Sequence, residues 1–502
     1  MRTVAVAFVL SMLCAALLTP LVRKLAHRYG ALDQAHSARK IHGRPVPRLG
    51  GIAIVIAFFA PLVGLLVFES DVGALFLAEK KLVLGIFIGG VLIAGLGIYD
   101  DLRGTGAGKK FTVQFAVAGL MYGLGFRVTE IAHPFGESIH LGWVSLPFTL
   151  FWIVGIINAM NLVDGLDGLA GGVALVAVST ILVVSVHNVQ PLMILFCAAL
   201  AGSIVGFLFY NFNPASIFMG DTGSMFLGFV LATSSIQTGQ KSSTAIAVFI
   251  PAIILAFPIL DTLLAMGRRA LHGRPMFHAD KEHIHHRLLG LGFSHKQTVW
   301  VLYSICVFLG GVALAILYTQ NQALTLALLA GLAAVVLYGL RRLGYLRFEA
   351  RRYLSDVRRR NRILNASLNP VTERLRGASS EDEMWSALRE LATIVQAVGV
   401  RMQLPAIRQN TTFRVLFSDG FAEPSPPASS PEPYCARFRL PNVTPEEGMI
   451  ELAWRDGRAS LDRDLEIAIE RFCSQAAVTH ERLRGRRNMP PRPEGARGVM
   501  PT

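Results

Sequence analysis

The sequence predicts an all-α polytopic membrane protein of about 11 transmembrane helices, with a small α+β domain after it. Three observations lead there: how unevenly charge is distributed, how many long apolar runs there are, and how basic residues sort among the loops. Of 502 residues, 52% are hydrophobic and 16% charged, yet the net charge is +14. The mean hydropathy is +0.47. A soluble globular chain usually carries about 25% charged residues. Splitting the chain near residue 340 resolves the conflict. Residues 1–340 hold 21 Lys+Arg and 14 Asp+Glu; residues 341–502 hold 27 Arg, no Lys and 20 acids, so each part is +7. This excludes a single soluble domain and a wholly disordered chain. Five cysteines (Cys14, Cys197, Cys306, Cys435, Cys473) lie scattered without a CxxC, so neither a disulfide framework nor a Cys-based zinc site is indicated.

A membrane crossing needs about 20 mostly apolar residues. Eleven runs qualify: 4–22, 50–68, 82–99, 111–126, 146–162, 168–186, 190–209, 223–238, 245–264, 299–318 and 323–340, the fourth and eighth being short. Arg23 and Lys24 follow the first run where a cleavage site would need small residues, so it reads as an uncleaved span. The loops 23–49, 100–110, 163–167, 210–222 and 265–298 hold 16 Lys+Arg, against 5 for the other set with the N-terminus. The positive-inside rule puts the first set in the cytoplasm, the N-terminus outside and the tail inside. Asp100, Asp101, Asp164, Asp167, Asp221, Asp280 and Glu282 fall at the same ends, while Asp261 sits inside the ninth run. Ionisable groups at membrane depth are costly, so each is a candidate functional residue.

Five loops on that side carry chemistry. The first, Arg39 to Gly51, includes Lys40, His42 and Arg48 between stiffening prolines; its cations suit a phosphorylated ligand. The second opens on Asp100-Asp101 and ends at Lys109-Lys110. An adjacent carboxylate pair makes sense beside a cation, or with one member acting as a base. The third, Asn158 to Gly172, brings Asn161, Asp164 and Asp167 among glycines. Such a polar break between apolar runs is tolerated where it lines a wet cavity. In the fourth, Gly220 and Gly223 bracket Asp221, a hard oxygen donor of the kind Mg²⁺ prefers, or else a helix N-cap. The fifth holds His283, His285, His286 and Arg287. On a helix His283 and His286 would share a face. A histidine cluster also admits zinc, but without an HExxH or Cys partner a phosphate-binding cluster suits the neighbouring loops better.

Together, the Arg39–Gly51 loop, the Asp100-Asp101 pair, Asn161 to Gly168, Met219 to Ser224 and His283 to Arg287 make the chain resemble the polyprenyl-phosphate N-acetylhexosamine-1-phosphate transferases, over roughly residues 1–320. The resemblance implies transfer of a sugar-1-phosphate from a UDP-N-acetylhexosamine to undecaprenyl phosphate at the inner (plasma) membrane of a bacterium, with release of UMP. It implies Mg²⁺, with Mn²⁺ as a substitute, held by Asp221 and Asp101. Asp100 or Asp101 would activate the lipid phosphate, and Asp164 and Asp167 would join them in catalysis. Asn161, His283, His285, His286 and Arg287 would bind nucleotide, sugar or phosphate, and Lys40, His42 and Arg48 the lipid phosphate. The His-Ile-His-His-Arg form is similar to the UDP-GlcNAc-using branch; the phospho-N-acetylmuramoyl-pentapeptide branch has three consecutive histidines. Arg103 and Gly104 stand where the family often has a further acid. A transporter is the rival class, but no inverted repeat is visible.

The tail reads as a basic juxtamembrane linker over 341–380, a small cytoplasmic domain over 381–487 and a disordered end over 488–502. A helix is expected over 381–400, strands at 412–417, 435–440 and 449–454, a flexible Pro/Ser-rich loop at 423–433, and a helix near 462–485. This order faintly resembles a GAF-like domain without a visible ligand motif. A role in forming a homodimer stays open. The net charge therefore points to lipid and nucleotide phosphates, with no feature indicating nucleic acid.

Overall fold

A computed structural model describes residues 2–29, 32–33, 46–67, 71–131, 139–240, 249–272, 283–319, 321–342, 350–405, 413–417, 434–440, 448–454, 456 and 461–487. Lys40, His42, Asp280, Glu282, the 423–433 loop and the 488–502 tail lie outside the described residues. The chain forms two compact units, the first made mainly of residues up to Arg347, the second mainly of Phe348–Thr502.

In the first unit the elements run α1 (Arg2–Arg28), β1 (Leu32–Asp33), β2 (Val46–Pro47), α2 (Gly51–Val67), α3 (Asp71–Ala78), α4 (Lys80–Arg103), α5 (Ala107–Gly123), β3 (Glu130–Ile131), β4 (Ile139–His140), α6 (Ser145–Val163), α7 (Leu169–His187), α8 (Pro191–Asn211), α9 (Gly220–Gln240), α10 (Phe249–Ile254), α11 (Ala256–His272), α12 (Ile284–Gly290), α13 (His295–Tyr318) and α14 (Gln322–Arg342). Among the described residues seven helices are long and apolar enough to cross a membrane: α1, α4, α6 with the turn before it, α7, α8, α13 and α14. This is the build of a polytopic membrane protein. Leu17, Leu21 and Leu25 on α1, and Val335, Leu337 and Tyr338 on α14, stay exposed, as side chains facing lipid would.

The eighth apolar run, weak in the sequence, is a full 21-residue helix. Its hydropathy is diluted by Thr233, Ser235 and Thr238, whose hydroxyls donate to carbonyls one turn back in the same helix. Polar groups satisfied within their own helix can be buried at little cost, and Phe226, Leu227, Phe229 and Leu231 of α9 are all fully buried. The ninth run is two helices, broken at Leu255 between α10 and α11. Pro258, in the first turn of α11, has no N–H to continue the ladder toward Ile254, so a helix starts there readily but does not pass through.

In the second unit α15 (Ala350–Gly377) and α16 (Glu381–Ile394) precede β5 (Gly399–Pro405), β6 (Phe413–Phe417), β7 (Tyr434–Arg439) and β8 (Met449–Trp454), and α17 (Arg463–Arg487) closes the chain's described part. The sheet is antiparallel, in the order β6-β5-β8-β7. Leu375, Leu391, Leu452, Trp454 and Phe472 share one core. Residues 350–377, expected as part of a linker, are thus a helix whose Leu368, Val371 and Leu375 belong to the domain's core. The helix expected over 381–400 stops at Ile394 because Gln396 takes φ +57°, and Ala397 turns back to donate to the Ala392 carbonyl. The released chain becomes β5, a strand the sequence reading missed.

Candidate active site

The site is assembled where helices end. The first N–H groups of a helix lack partners within it and carry positive potential, so they attract a carboxylate. At α9 that carboxylate comes from another helix. Asp101 at the end of α4 accepts from the Asp221 N–H (2.9 Å), the Thr222 N–H (3.0 Å) and the Thr222 hydroxyl (2.6 Å). Gly220, at φ +67°, starts the turn, and a Cβ there would meet the Asp101 carboxylate at 2.6 Å. Successive helix residues point about 100° apart, so Asp100 faces elsewhere. Its Oδ2 lies 2.6 Å from Lys110 Nζ, and its Oδ1 accepts from the Thr105 N–H at 2.6 Å. Lys110 also donates to Asp221 Oδ2 at 2.5 Å. Asp100, Lys110 and Asp221 therefore form one ionic group joining α4, α5 and α9.

The end of α6 meets the same helix. Asn161 donates to the Ser224 hydroxyl at 2.9 Å, and that hydroxyl donates to the Gly220 carbonyl at 3.0 Å. Asp164, just past α6, is half-buried. Burial, reinforced by the charges of Asp221, Asp101 and Asp167, pushes its carboxyl up to about 8. Asp167 is buried and braces two loops, since its Oδ2 accepts from Asn213 Nδ2 (2.9 Å) and the Ala215 N–H (3.0 Å). The loop that carries Arg48 is anchored beside the start of α9 by backbone pairing: the Phe218 N–H donates to the Pro47 carbonyl (2.8 Å), and the N–H groups of Gly50 and Gly51 donate to the carbonyls of Phe218 (2.9 Å) and Met219 (2.8 Å).

The histidines arrive from α12. His283 stands at its N-cap with extended backbone, so it does not share a helical face with His286, as a helix through both would require. Its ring instead stacks on His285, centroids 5.7 Å apart and 6° from parallel. His285 in turn lies 4.3 Å from the His286 ring. His285 is buried against Gly165, where a Cβ would sit 2.6 Å from its Nε2. Burial first, then the neighbouring His286, lowers its pKa to about 3, so this imidazole is neutral. Arg287 is half-buried in the same turn.

Residues 83–239 match the family model described as Glycosyl transferase family 4. The chain is 39% identical over 306 residues to a probable undecaprenyl-phosphate N-acetylglucosaminyl 1-phosphate transferase of Bacillus subtilis, covering 61% of this chain and 82% of that protein. The chain belongs to glycosyl transferase family 4. A decaprenyl-phosphate N-acetylglucosaminephosphotransferase of Mycolicibacterium smegmatis is 34% identical over 63% of this chain and 82% of its own length. A phospho-N-acetylmuramoyl-pentapeptide-transferase of Listeria welshimeri is 33% identical over 60% and 93%.

The segment of this family 4 chain that matches the family model runs from α4 to α9 and contains Asp100, Asp101, Lys110, Asn161, Asp164, Asp167 and Asp221. Of the expected metal pair, Asp221 and Asp101, the geometry brings the backbone N–H of the first against the carboxylate of the second. Both oxygens of Asp101 are engaged at the α9 N-terminus, and Asp100 is the acid tied through Lys110 to Asp221. Sequence reasoning gave no role to Lys110, although a lysine ten residues after an aspartate pair was visible as a counter-charge. It also passed over Asn211, which accepts from the Gly168 N–H (3.2 Å) and donates to the Ile217 carbonyl (2.9 Å).

Proposed function

We propose that this chain transfers N-acetylglucosamine-1-phosphate from UDP-N-acetylglucosamine to undecaprenyl phosphate, releasing UMP and starting a cell-envelope glycan on its lipid carrier. The observation that carries the reading is the meeting of Asp100, Lys110 and Asp221 at the ends of apolar helices, beside Asn161 and Asp164. The names of the relatives from Bacillus and Mycolicibacterium agree with it. An oxygen of the lipid phosphate bonds to the sugar-bearing phosphorus as the bond from that phosphorus to the UMP oxygen breaks, and UMP leaves with the electron pair. Two polyanions must be aligned against their repulsion, which is work for positioned cations and hydrogen bonds.

Mg²⁺, or Mn²⁺ in its place, belongs to the same proposal. Among the described residues no three His, Cys, Asp or Glu side chains converge as a metal cage. Mg²⁺ is commonly held by one or two carboxylates, with substrate phosphates and water completing the shell. Asp221 with Asp100 fits that pattern, because the Lys110 ammonium already lies between their oxygens as a cation. When bound, the ion supplies neutralising charge for the diphosphate. Asp100, the acid not engaged in capping, orients or deprotonates the lipid phosphate. Asn161 offers a hydrogen-bond donor to the nucleotide, and Asp164, largely protonated at neutral pH before a cation binds, completes the surroundings of nucleotide and metal. Arg48, with Lys40 and His42 of the same loop, meets the lipid phosphate, and His286 and Arg287 meet the diphosphate or sugar. Eleven crossings put this end of the helices in the cytoplasm, at the inner membrane of a bacterium; the loop charge of 16 against 5 supports that orientation.

The test is UMP release by the purified full-length protein with undecaprenyl phosphate and Mg²⁺, run with UDP-GlcNAc, UDP-GalNAc and UDP-MurNAc-pentapeptide. Turnover with UDP-GlcNAc is expected. Preference for the pentapeptide substrate would move the chain to the other branch, and no UMP from any donor would overturn the reading.

A further inference from the structure

Asp261 takes no part in the site described above, yet it is 1% exposed within α11. A carboxylate in an apolar segment is expensive unless its oxygens are satisfied. Both are satisfied by the start of α12. Oδ2 lies 2.9 Å from His283 Nδ1, whose side chain is 5% exposed, and Oδ1 accepts from the Ile284 N–H at 2.8 Å. The same His283 ring stacks on His285, which rests on Gly165 between Asp164 and Asp167. Three contacts in series thus link an aspartate in a helix to the acidic loop.

We infer that Asp261 is a positioning residue: it holds His283 by Nδ1 and, through the stacked His283–His285 pair, sets the histidine motif against the Asp164–Asp167 loop. Asp261 Oδ2 accepts a hydrogen bond from the Nδ1–H of His283, which leaves Nε2 as the nitrogen turned to other partners. Second partners of this kind fix both ring orientation and tautomer, and their loss typically costs about 10- to 100-fold in activity at metal sites. The Ile284 bond has a separate job, which is to cap α12. The inference deepens the transferase reading and rests on it for its kinetic arm only.

Asp261→Asn separates the two jobs. Asparagine keeps a carbonyl oxygen for the Ile284 N–H but presents an N–H to His283, which drives the ring proton to Nε2. The expected result is a fall in kcat of about 10- to 100-fold with the KM for UDP-GlcNAc little changed. Asp261→Asn should add nothing further in a His283→Ala background, because the effect passes through that ring. Independently of activity, ¹⁵N shifts of labelled histidine in the full-length protein should report the Nδ1–H tautomer for His283 and its switch in Asp261→Asn. Wild-type turnover in Asp261→Asn, an equal further loss in the His283→Ala background, or an unchanged tautomer would each overturn the assignment. If the wild-type protein releases no UMP, the transferase reading fails, while the nitrogen shifts still decide whether Asp261 governs His283.

Discussion

The two units each bury a carboxylate beside basic side chains, and they balance the charge in opposite ways. In the second unit Glu451 on β8, 4% exposed, lies between Arg437 of β7 (2.9 Å) and Arg401 of β5 (3.5 Å). One acid there is shared by two cations on flanking strands, as cross-strand pairing favours. In the first unit Lys110 bonds two acids, Asp100 and Asp221, and Asp221 and Asp101 lie close enough to raise the protonation of Asp164. A fold seeking stability alone would not gather carboxylates this way, because like charges at close range disfavour their ionised forms. Excess negative charge is tolerated where a cationic or phosphate-bridging partner completes the site, and this difference separates the candidate site from the structural cluster.

The largest effect expected from breaking the contrast is at Asp221. Asp221→Ala removes the acid that Lys110 ties to Asp100 and that begins α9. Turnover should fall by on the order of 10³-fold, the scale seen when a charge-stabilising group is removed from a preorganised site. Steady-state UMP release measures it, with thermal unfolding as the control for folding. Turnover within a few-fold of wild type would remove Asp221 from the reaction and with it the proposed metal position.

Next in size is a dependence of Mg²⁺ binding on pH. Asp164 ionises at about 8, far above its ordinary 3.8. Without metal, its contribution to stability is present in acid and lost as pH rises from about 4 through about 8. A cation at the cluster favours the carboxylate, so the proton competes with it and is released on binding. Mg²⁺ affinity should therefore rise by up to about tenfold per unit between pH 6 and 8 and level off above. Calorimetric titration across that range checks it, and Asp164→Asn should flatten the dependence. A flat profile in the wild-type protein would mean that Asp164 does not sense the ion.

Much of this was legible in the sequence, for physical reasons that differ by residue. Apolar runs and loop charges record the membrane as solvent, so a helix occupies each of the eleven runs, and the ninth is divided only because Pro258 interrupts a ladder. The acids and histidines were legible as residue types placed at helix ends. Their partners were not. Which of Asp100 and Asp101 faces Asp221 depends on the rotation of α4 against α9, and no spacing within α4 records that. Asp261 and His283 meet across a separation of 22 residues, which no local periodicity records. Strand β5 escaped because Val395 extends the apolar stripe of α16, while the left-handed Gln396 that ends the helix has no composition signal.

The smallest expected effect tests the structural side of the contrast. Glu451→Gln keeps the shape of the side chain and a hydrogen-bond acceptor but removes the charge facing Arg401 and Arg437. Arg437 is 70% exposed at its side chain, so water screens that pair and relieves the arginine when the acid is lost. The stability cost should be only about 1 kcal/mol, the scale of one hydrogen bond to a charged group partly compensated by solvent. UMP release should stay at the wild-type rate, because the ladder serves the sheet and carries no reacting group. Thermal unfolding and steady-state turnover of the full-length variant report the two quantities side by side. A large loss of turnover at unchanged stability would mean that Glu451 takes part in regulation, and the division into a catalytic and a structural cluster would no longer hold.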